Sequence, residues 1–423
     1  MKKRIRSILL IYSLPCLSTM GFAQQQEKRE VEKTVQEIEV LDKAVKKLQK
    51  IKISGYIQGQ YQWGEEDASL KVGTANSNPE ESFNRIGIRR GRIKFTYEEG
   101  IGSAVFQLDV TEKGVGFKDA YLNLKDPWVK TNALKAGIFD RPFGNEISYS
   151  SSKRESPERS TIFQTLFPDE RDLGAMLTLQ AAKTSPLHFL KLEAGLFAGN
   201  GIKQETDNRK DFIGHLTANK TFGKSIRLGG GFSYYNGGVY QGTENVYRME
   251  GNAFVLDNKA SNKGAFAKRE YFGIDAQFGL TTLLGETQIR GEYLFGKQPG
   301  SSSGSKSPNA SSLPTADTYL RQFQGGYVIL VQDVGRSPLA AVLKYDWYDP
   351  NNKVSGDEIG LHNTGKGDLA QNTFGFGILW HVNPAIRLQA YYEINRNEET
   401  TNLTAYKDDI KNDVCTLRLQ YKF

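Results

Sequence analysis

From Ile53 onward apolar and polar residues alternate with a period of two, and the pattern never returns to a helical repeat for long. That period is what a strand with one apolar and one polar face requires. Sixteen such segments are predicted, at about 51–63, 84–98, 101–112, 115–125, 132–140, 172–182, 187–198, 210–222, 225–236, 268–281, 283–296, 318–333, 338–348, 370–382, 385–396 and 410–423. In the last of them Cys415, Leu417, Leu419, Tyr421 and Phe423 share one face, and Thr416, Arg418, Gln420 and Lys422 the other. The segment before it sets Ile386, Leu388, Ala390, Tyr392 and Ile394 against Arg387, Gln389, Tyr391, Glu393 and Asn395. A face of charges is costly in a packed core and natural around water, so the polar side is read as a lumen and the apolar side as facing lipid.

The connections agree. Those after even segments are short, such as Glu99-Gly100, Gly223-Lys224 and Asn383-Pro384, whereas 64–83, 141–171, 237–267, 297–317 and 349–369 are long. Short turns at one end and long loops at the other are expected of a transmembrane antiparallel β-barrel, and an even count brings both chain ends to one side. A hairpin around Gly251–Asp257 would raise the count to 18. Aromatic residues near strand ends, Tyr61 and Trp63, Tyr234 and Tyr235, Tyr345, Trp347 and Tyr348, suit interfacial girdles.

Before the barrel the period differs. Met1–Ala23 carries Lys2, Lys3, Arg4 and Arg6, an apolar run from Ile8 to Leu17 and a small-x-small site, which predicts a secretory signal peptide. Glu27–Lys50 spaces Val31, Val35, Ile38, Leu41, Val45 and Leu48 by three or four residues, an amphipathic helix about 35 Å long. It is read as a periplasmic helix over 24–50, either lying on a neighbouring surface or forming a short oligomeric coiled coil. After cleavage Cys415 is the single cysteine, so no intramolecular disulfide is possible.

Net charge changes little. The chain is +7, but the signal holds four of those charges and Gln24–Lys52 a net two, leaving the barrel at +1. Any preference for anions must come from where the charges sit. One place is segment 84–98, where Ile86 and Ile88 have one parity and Ile93, Phe95 and Tyr97 the other. A bulge at Arg90-Gly91 reconciles them, aiming Arg85, Arg89, Arg92 and Lys94 into the lumen and leaving Arg90 outward or in the bulge. Guanidinium forks suit oxyanions, so this row predicts an anion path. The alternative is that the arginines pair with Asp109 and Asp119 and stiffen the wall. Arg227 adds another predicted lumenal cation. A second place is Gly137–Gly174, too long for an ordinary connection and rich in both arginine and phenylalanine, which is read as a plug folded into the pore. Gln298–Thr315, rich in Ser, Gly and Pro, is read as a mobile extracellular loop.

Those two places carry a resemblance. Arg89-Arg90-x-Arg92, then Asp119-Ala120-Tyr121-Leu122, then Gly137-x-Phe139-x-x-Pro142-Phe143-Gly144-x-Glu146, Glu158-Arg159-Ser160 and Arg171-Asp172-x-Gly174 resemble the phosphate-selective porin O and P family. The resemblance implies a 16-stranded, homotrimeric porin in the bacterial outer membrane, with its third loop folded inward. It also implies that anions are held by Arg89, Arg90, Arg92, Asp119, Ser151, Ser152 and Arg159. The expected permeants are small anions, phosphate among them, moving by passive diffusion through an outer membrane whose lipid contacts the barrel. No cofactor, metal or nucleic acid is implied. A weakly selective general porin and a structural barrel tethered through its helix stay open. A hydrolase would need a Ser/His/acid set, and His188, His215, His362 and His381 fall on unrelated segments.

Overall fold

The computed structural model describes residues 28–423, so the predicted signal peptide lies outside the described residues. The chain divides into two units, Met1–Lys52 and Ile53–Phe423. In the first, residues 28–49 form helix α1, on which Val31, Val35, Ile38, Leu41, Val45 and Leu48 are all exposed.

The strands are β1 (Ile51–Gly64), β2 (Phe83–Glu99), β3 (Gly102–Thr111), β4 (Gly114–Lys125), β5 (Ala133–Asp140), β6 (Arg171–Gln180), β7 (Leu190–Phe197), β8 (Asp211–Phe222) and β9 (Ile226–Tyr240). They continue as β10 (Asn245–Glu250), β11 (Ala253–Asn258), β12 (Phe266–Thr282), β13 (Gly285–Gly300), β14 (Thr318–Asp333), β15 (Leu339–Asp349), β16 (Gln371–His381), β17 (Ile386–Asn397) and β18 (Val414–Lys422). β18 pairs antiparallel with β1, from Tyr56↔Lys422 to Gly64↔Val414, and closes the sheet. β9 pairs directly with β12 from Tyr240↔Phe266 to Ile226↔Leu280. The β10–β11 hairpin therefore has no place in the wall and lies parallel to the loop end of β14 instead. Among the described residues the barrel has 16 strands, with two extra ones above it.

Facing follows the period of two. On β18 Leu417, Leu419 and Tyr421 are about half exposed on the outside, while Thr416, Arg418 and Gln420 are buried within. An apolar exterior around a polar interior inverts the arrangement of a water-soluble protein and matches a barrel bathed in lipid.

The third loop, residues 141–170 with the short helix α2 (Thr161–Leu166), crosses the lumen. Two kinds of contact fix it. Phe143, Ile147, Ile162, Phe163, Leu166 and Phe167 form a cluster with Phe197, Tyr235, Tyr271, Phe323, Tyr327 and Tyr348 of β7, β9, β12, β14 and β15. Each phenylalanine so buried is worth roughly 1.5–3 kcal/mol, which explains why an aromatic-rich loop does not stay in water. The loop enters this cluster through Gly144, whose φ is +62° and whose position leaves no room for a Cβ against the Glu292 carboxylate. The N–H groups of Gly144 and Asn145 donate to Ser233 Oγ at 2.8 Å and Glu292 Oε2 at 2.9 Å. On the opposite side Ser151 meets Tyr56, hydroxyl to hydroxyl, at 2.6 Å, and Arg387 donates to the carbonyls of Lys153 and Arg154 at 3.1 and 3.0 Å. The loop is thereby tied to β7, β9 and β12–β15 on one side and to β1 and β17 on the other.

The sixth loop, residues 301–317, also folds inward and is not the free extracellular loop expected of its composition. Its Ser307 N–H donates to Thr165 O at 3.0 Å, and Asn309 Nδ2 to Asp169 Oδ2 at 2.6 Å. The backbone amide of Ser307 and the side-chain amide of Asn309 thus find partners on the third loop, and the hydroxyls of Ser305 and Ser307 find Tyr348 and Arg269 of the wall.

Candidate pore constriction

The shift of parity on β2 falls where the isoleucines placed it. Gly91 sits against Val110 O so closely that a Cβ would meet it at 2.1 Å, and the ladder with β3 begins only at Arg92↔Asp109. The bulge turns Arg89, Arg90 and Arg92 all inward, so Arg90 lies in the bulge as one of the two readings had it but does not point outward: it is 3% exposed. A second bulge lies on β4, where Gln107 pairs with Asp119 and the next step pairs Leu108 with Phe117. Skipping Lys118 in this way brings both Lys118 and Asp119 to the lumen.

Loop 3 places carboxylates against these cations. Arg89 Nε and Nη2 donate to the two oxygens of Glu158 at 2.7 and 2.8 Å, Arg90 Nη2 reaches Oε2 at 2.7 Å, and Arg418 lies 3.3 Å from Oε1. Burial pushes the Glu158 carboxyl upward, but the guanidiniums of Arg89, Arg90 and Arg418 outweigh it and hold the group well below the usual carboxylate range. Glu170 behaves alike, its burial outweighed by Arg159, Lys118 and Arg171. Arg159 donates to the carbonyls of Glu146 and Ile147 at 2.8 Å each and pairs with Glu170. Asp119 accepts from Arg171 Nε at 2.9 Å, and Arg171 Nη1 also reaches Asp140 at 3.1 Å. Arg92 is the loosest of the set, 3.5 Å from Asp109 and with no hydrogen-bond partner at Nε.

Two cavities bracket this cluster. One of about 580 Å³ on the loop side is lined by Arg89, Arg90, Arg92, Asp109, Lys118 and loop residues. The other, of about 240 Å³ toward the turns, is lined by Arg92, Lys94, Asp119, Lys135, Asp140, Ser151 and Arg171 among others. Arg92 and Arg159 line both. They are 5% and 7% exposed, so both guanidinium-bearing side chains are packed between the two cavities.

The expected site residues divide accordingly. Arg89, Arg92, Lys94, Asp119, Ser151 and Arg159 line one or both cavities. Arg85 instead donates to the carbonyls of Thr74, Asn84 and Ala75 and secures the first loop. Ser152 bonds Ser150 and, through its carbonyl, Gln420, anchoring loop 3 to β18. Arg227 pairs with Glu286 beside a separate cavity toward the turns. His215 pairs with Asp275 at 2.8 Å, a buried pair of the barrel wall. Lys118 escaped the sequence reading, although two adjacent charges, Lys118-Asp119, inside a strand are the mark a bulge leaves.

No protein-family model and no curated protein sequence matches the chain. Solved structures do. Pseudomonas putida OprB at high pH aligns with a TM-score of 0.56 over 91% of this chain and 96% of its own, at 9% identity. Salmonella typhi OmpF, solved with daunomycin, gives 0.55 over 88% and 97%, at 12% identity. The outer membrane channel DcaP of Acinetobacter baumannii gives 0.53 over 88% and 97%, also at 12%. At such identities the likeness is one of fold, and together with the apolar exterior it makes this chain a bacterial outer-membrane β-barrel with the porin fold.

Proposed function

We propose that the barrel is a passive diffusion channel for small anions, phosphate-like oxyanions among them, with the neck between Arg92 and Arg159 as its selective point. The observation that carries this reading is that these two arginines alone border both cavities. Around the lower cavity Lys94, Lys135 and Arg171 join them against Asp119 and Asp140. A guanidinium pair in a neck replaces part of an oxyanion's hydration with forked hydrogen bonds, and the order Arg89, Arg92, Lys94 along β2 offers successive stations. The test is the reversal potential of the purified protein in a planar bilayer under a KCl gradient, followed by titration of phosphate. Anion selectivity with chloride current blocked by phosphate supports the reading. Weak or cation selectivity without block would make it a general porin, the reading favoured by the full pairing of Arg89 and Arg90 with Glu158.

We also infer that α1 joins three copies as a coiled coil, since its apolar stripe is exposed along its whole length.

A further inference from the structure

In the sixth loop a single charge, Lys306, stands between two serines in a stretch otherwise made of small and uncharged residues up to Asp317. Both flanking serines are buried and held. Ser305 meets the Tyr348 hydroxyl at 2.7 Å; Ser307 accepts from Arg269 Nη1 at 2.7 Å while its N–H donates to loop 3. With its neighbours fixed on either side, Lys306 is left exposed, and it borders both the 580 Å³ cavity and a second one of about 460 Å³ beside it. The fourth loop brings Lys203 to the same 580 Å³ cavity, also exposed. These two loops are stitched together: Asn200 Nδ2 donates to Ala310 O at 2.5 Å and Ala310 N–H returns to Asn200 Oδ1 at 3.1 Å. Neither lysine has a carboxylate within ion-pair distance among the described residues, whereas Arg89, Arg90, Lys118 and Arg159 around the same cavity all do.

We propose that Lys306 and Lys203 form an anion-capture station on the loop side of the neck, taking small hydrated anions from the mouth and raising their concentration at Arg92 and Arg159. The proposal rests on the anion-channel reading. Its chemistry follows from the side chains: an ammonium is a compact, strongly hydrated point charge that holds an anion loosely, and the guanidinium forks below it are suited to closer contact. Unpaired charges in a lumen with low-dielectric walls focus their field inward and raise on-rates. At 0.1 M salt that field reaches about 10 Å, and at 1 M about 3 Å.

The test uses the full chain in a planar bilayer with KCl, comparing wild type with Lys203→Gln/Lys306→Gln. In 0.1 M KCl the chloride current driven from the loop side is expected to fall about two- to fivefold, with the current from the turn side nearly unchanged, and the difference to vanish in 1 M KCl. Lys203→Arg/Lys306→Arg should behave as wild type, which separates lost charge from a disturbed loop. An equal loss in both directions, or a wild-type current–voltage curve in 0.1 M KCl, overturns the station. A cation-selective wild type overturns the anion channel instead, so the two failures are told apart.

Discussion

Replacing Arg92 by Gln removes one charge from the neck and leaves its partner Asp109 in place, since that carboxylate also accepts the Gly91 N–H at 2.9 Å. The size of the effect can be worked out. With Arg92 only 5% exposed and bordering both cavities, an ion threading the neck comes within about 5 Å of the guanidinium. One unit charge at that distance is worth roughly 0.8 kcal/mol even with the dielectric constant of bulk water. The anion loses that attraction and the cation loses the matching repulsion, so the free-energy difference between them moves by about 1.6 kcal/mol. Since about 1.4 kcal/mol is tenfold, the ratio of chloride to potassium permeability is expected to drop about five- to twentyfold in 0.1 M KCl. In 1 M KCl, with a screening length near 3 Å, the change should shrink below about twofold. Reversal potentials under a concentration gradient read the ratio directly. Arg227→Gln is the control: it lies by a different cavity and is paired with Glu286, so it should move the ratio little. An unchanged ratio for Arg92→Gln at low salt would refute the placing of the neck.

Further outcomes follow from the same contacts. Glu158→Ala leaves Arg89, Arg90 and Arg418 without their shared carboxylate; losing one partner of a buried pair costs about 3–5 kcal/mol, so single-channel recordings should show large open-state noise absent from wild type. Protonation should do the same, but late. Glu158 and Glu170 have folded-state values held below the ordinary carboxylate range. Their contribution is therefore fully present above the unfolded value near 4.3, and it is lost only as pH falls through the depressed folded value; steady conductance from pH 7 to about 4.5, with noise appearing only in stronger acid, is expected. Phe167→Ala opens a void in the loop's aromatic cluster at a cost of about 3–5 kcal/mol and should raise conductance by loosening the loop. Deleting Glu27–Lys50 should abolish trimers in cross-linking while keeping the conductance of each channel, and unchanged trimers would remove the coiled-coil reading.

The barrel was legible because its signal is periodic: Leu417, Leu419 and Tyr421 face lipid for the same reason they alternate. The hairpin at Asn245–Asn258 was visible as a pattern, but whether it joined the wall depended on β9 and β12 pairing with each other, a long-range fact. The β2 bulge could be deduced from the isoleucine parities. That Arg90 turned inward as well as Arg89 could not, because a bulge frees local geometry and the Glu158 carboxylate decides it from 68 residues away. Sidedness within loop 3 was likewise hidden. Ser151 and Ser152 are neighbours of the same type, yet Ser151 borders the lower cavity and Ser152 does not.

Loop 3 carries Glu146, Glu155 and Glu158, which on composition alone argue against an anion path. Their positions reverse that inference. Glu146 takes Lys344 at 3.0 Å and the Ser160 hydroxyl, Glu155 takes Arg290, and Glu158 takes Arg89, Arg90 and Arg418. Each acid is used as a fastening between the loop and the wall, so Lys344, Arg290 and Arg418 are neutralised away from the two cavities that bracket the neck, while Glu158 neutralises Arg89 and Arg90 beside the upper one. Lys94, Lys135, Lys203 and Lys306 lie on the open side, by the β2–β5 wall or the mouth, and none has an ion-pair partner among the described residues. Lys135 rests instead over the rings of Tyr121 and Phe139, at 5.0 and 5.1 Å. A barrel whose charges nearly cancel can thus present a cationic path, because the loop's carboxylates are taken up by Arg89, Arg90, Arg290, Lys344 and Arg418 and leave these four lysines unpaired. Moving a carboxylate to the open side, as in Lys94→Glu, should therefore reduce anion selectivity more than Lys344→Glu changes it. The second substitution should be read in folding yield, since it sets a carboxylate against Glu146 inside a buried pair.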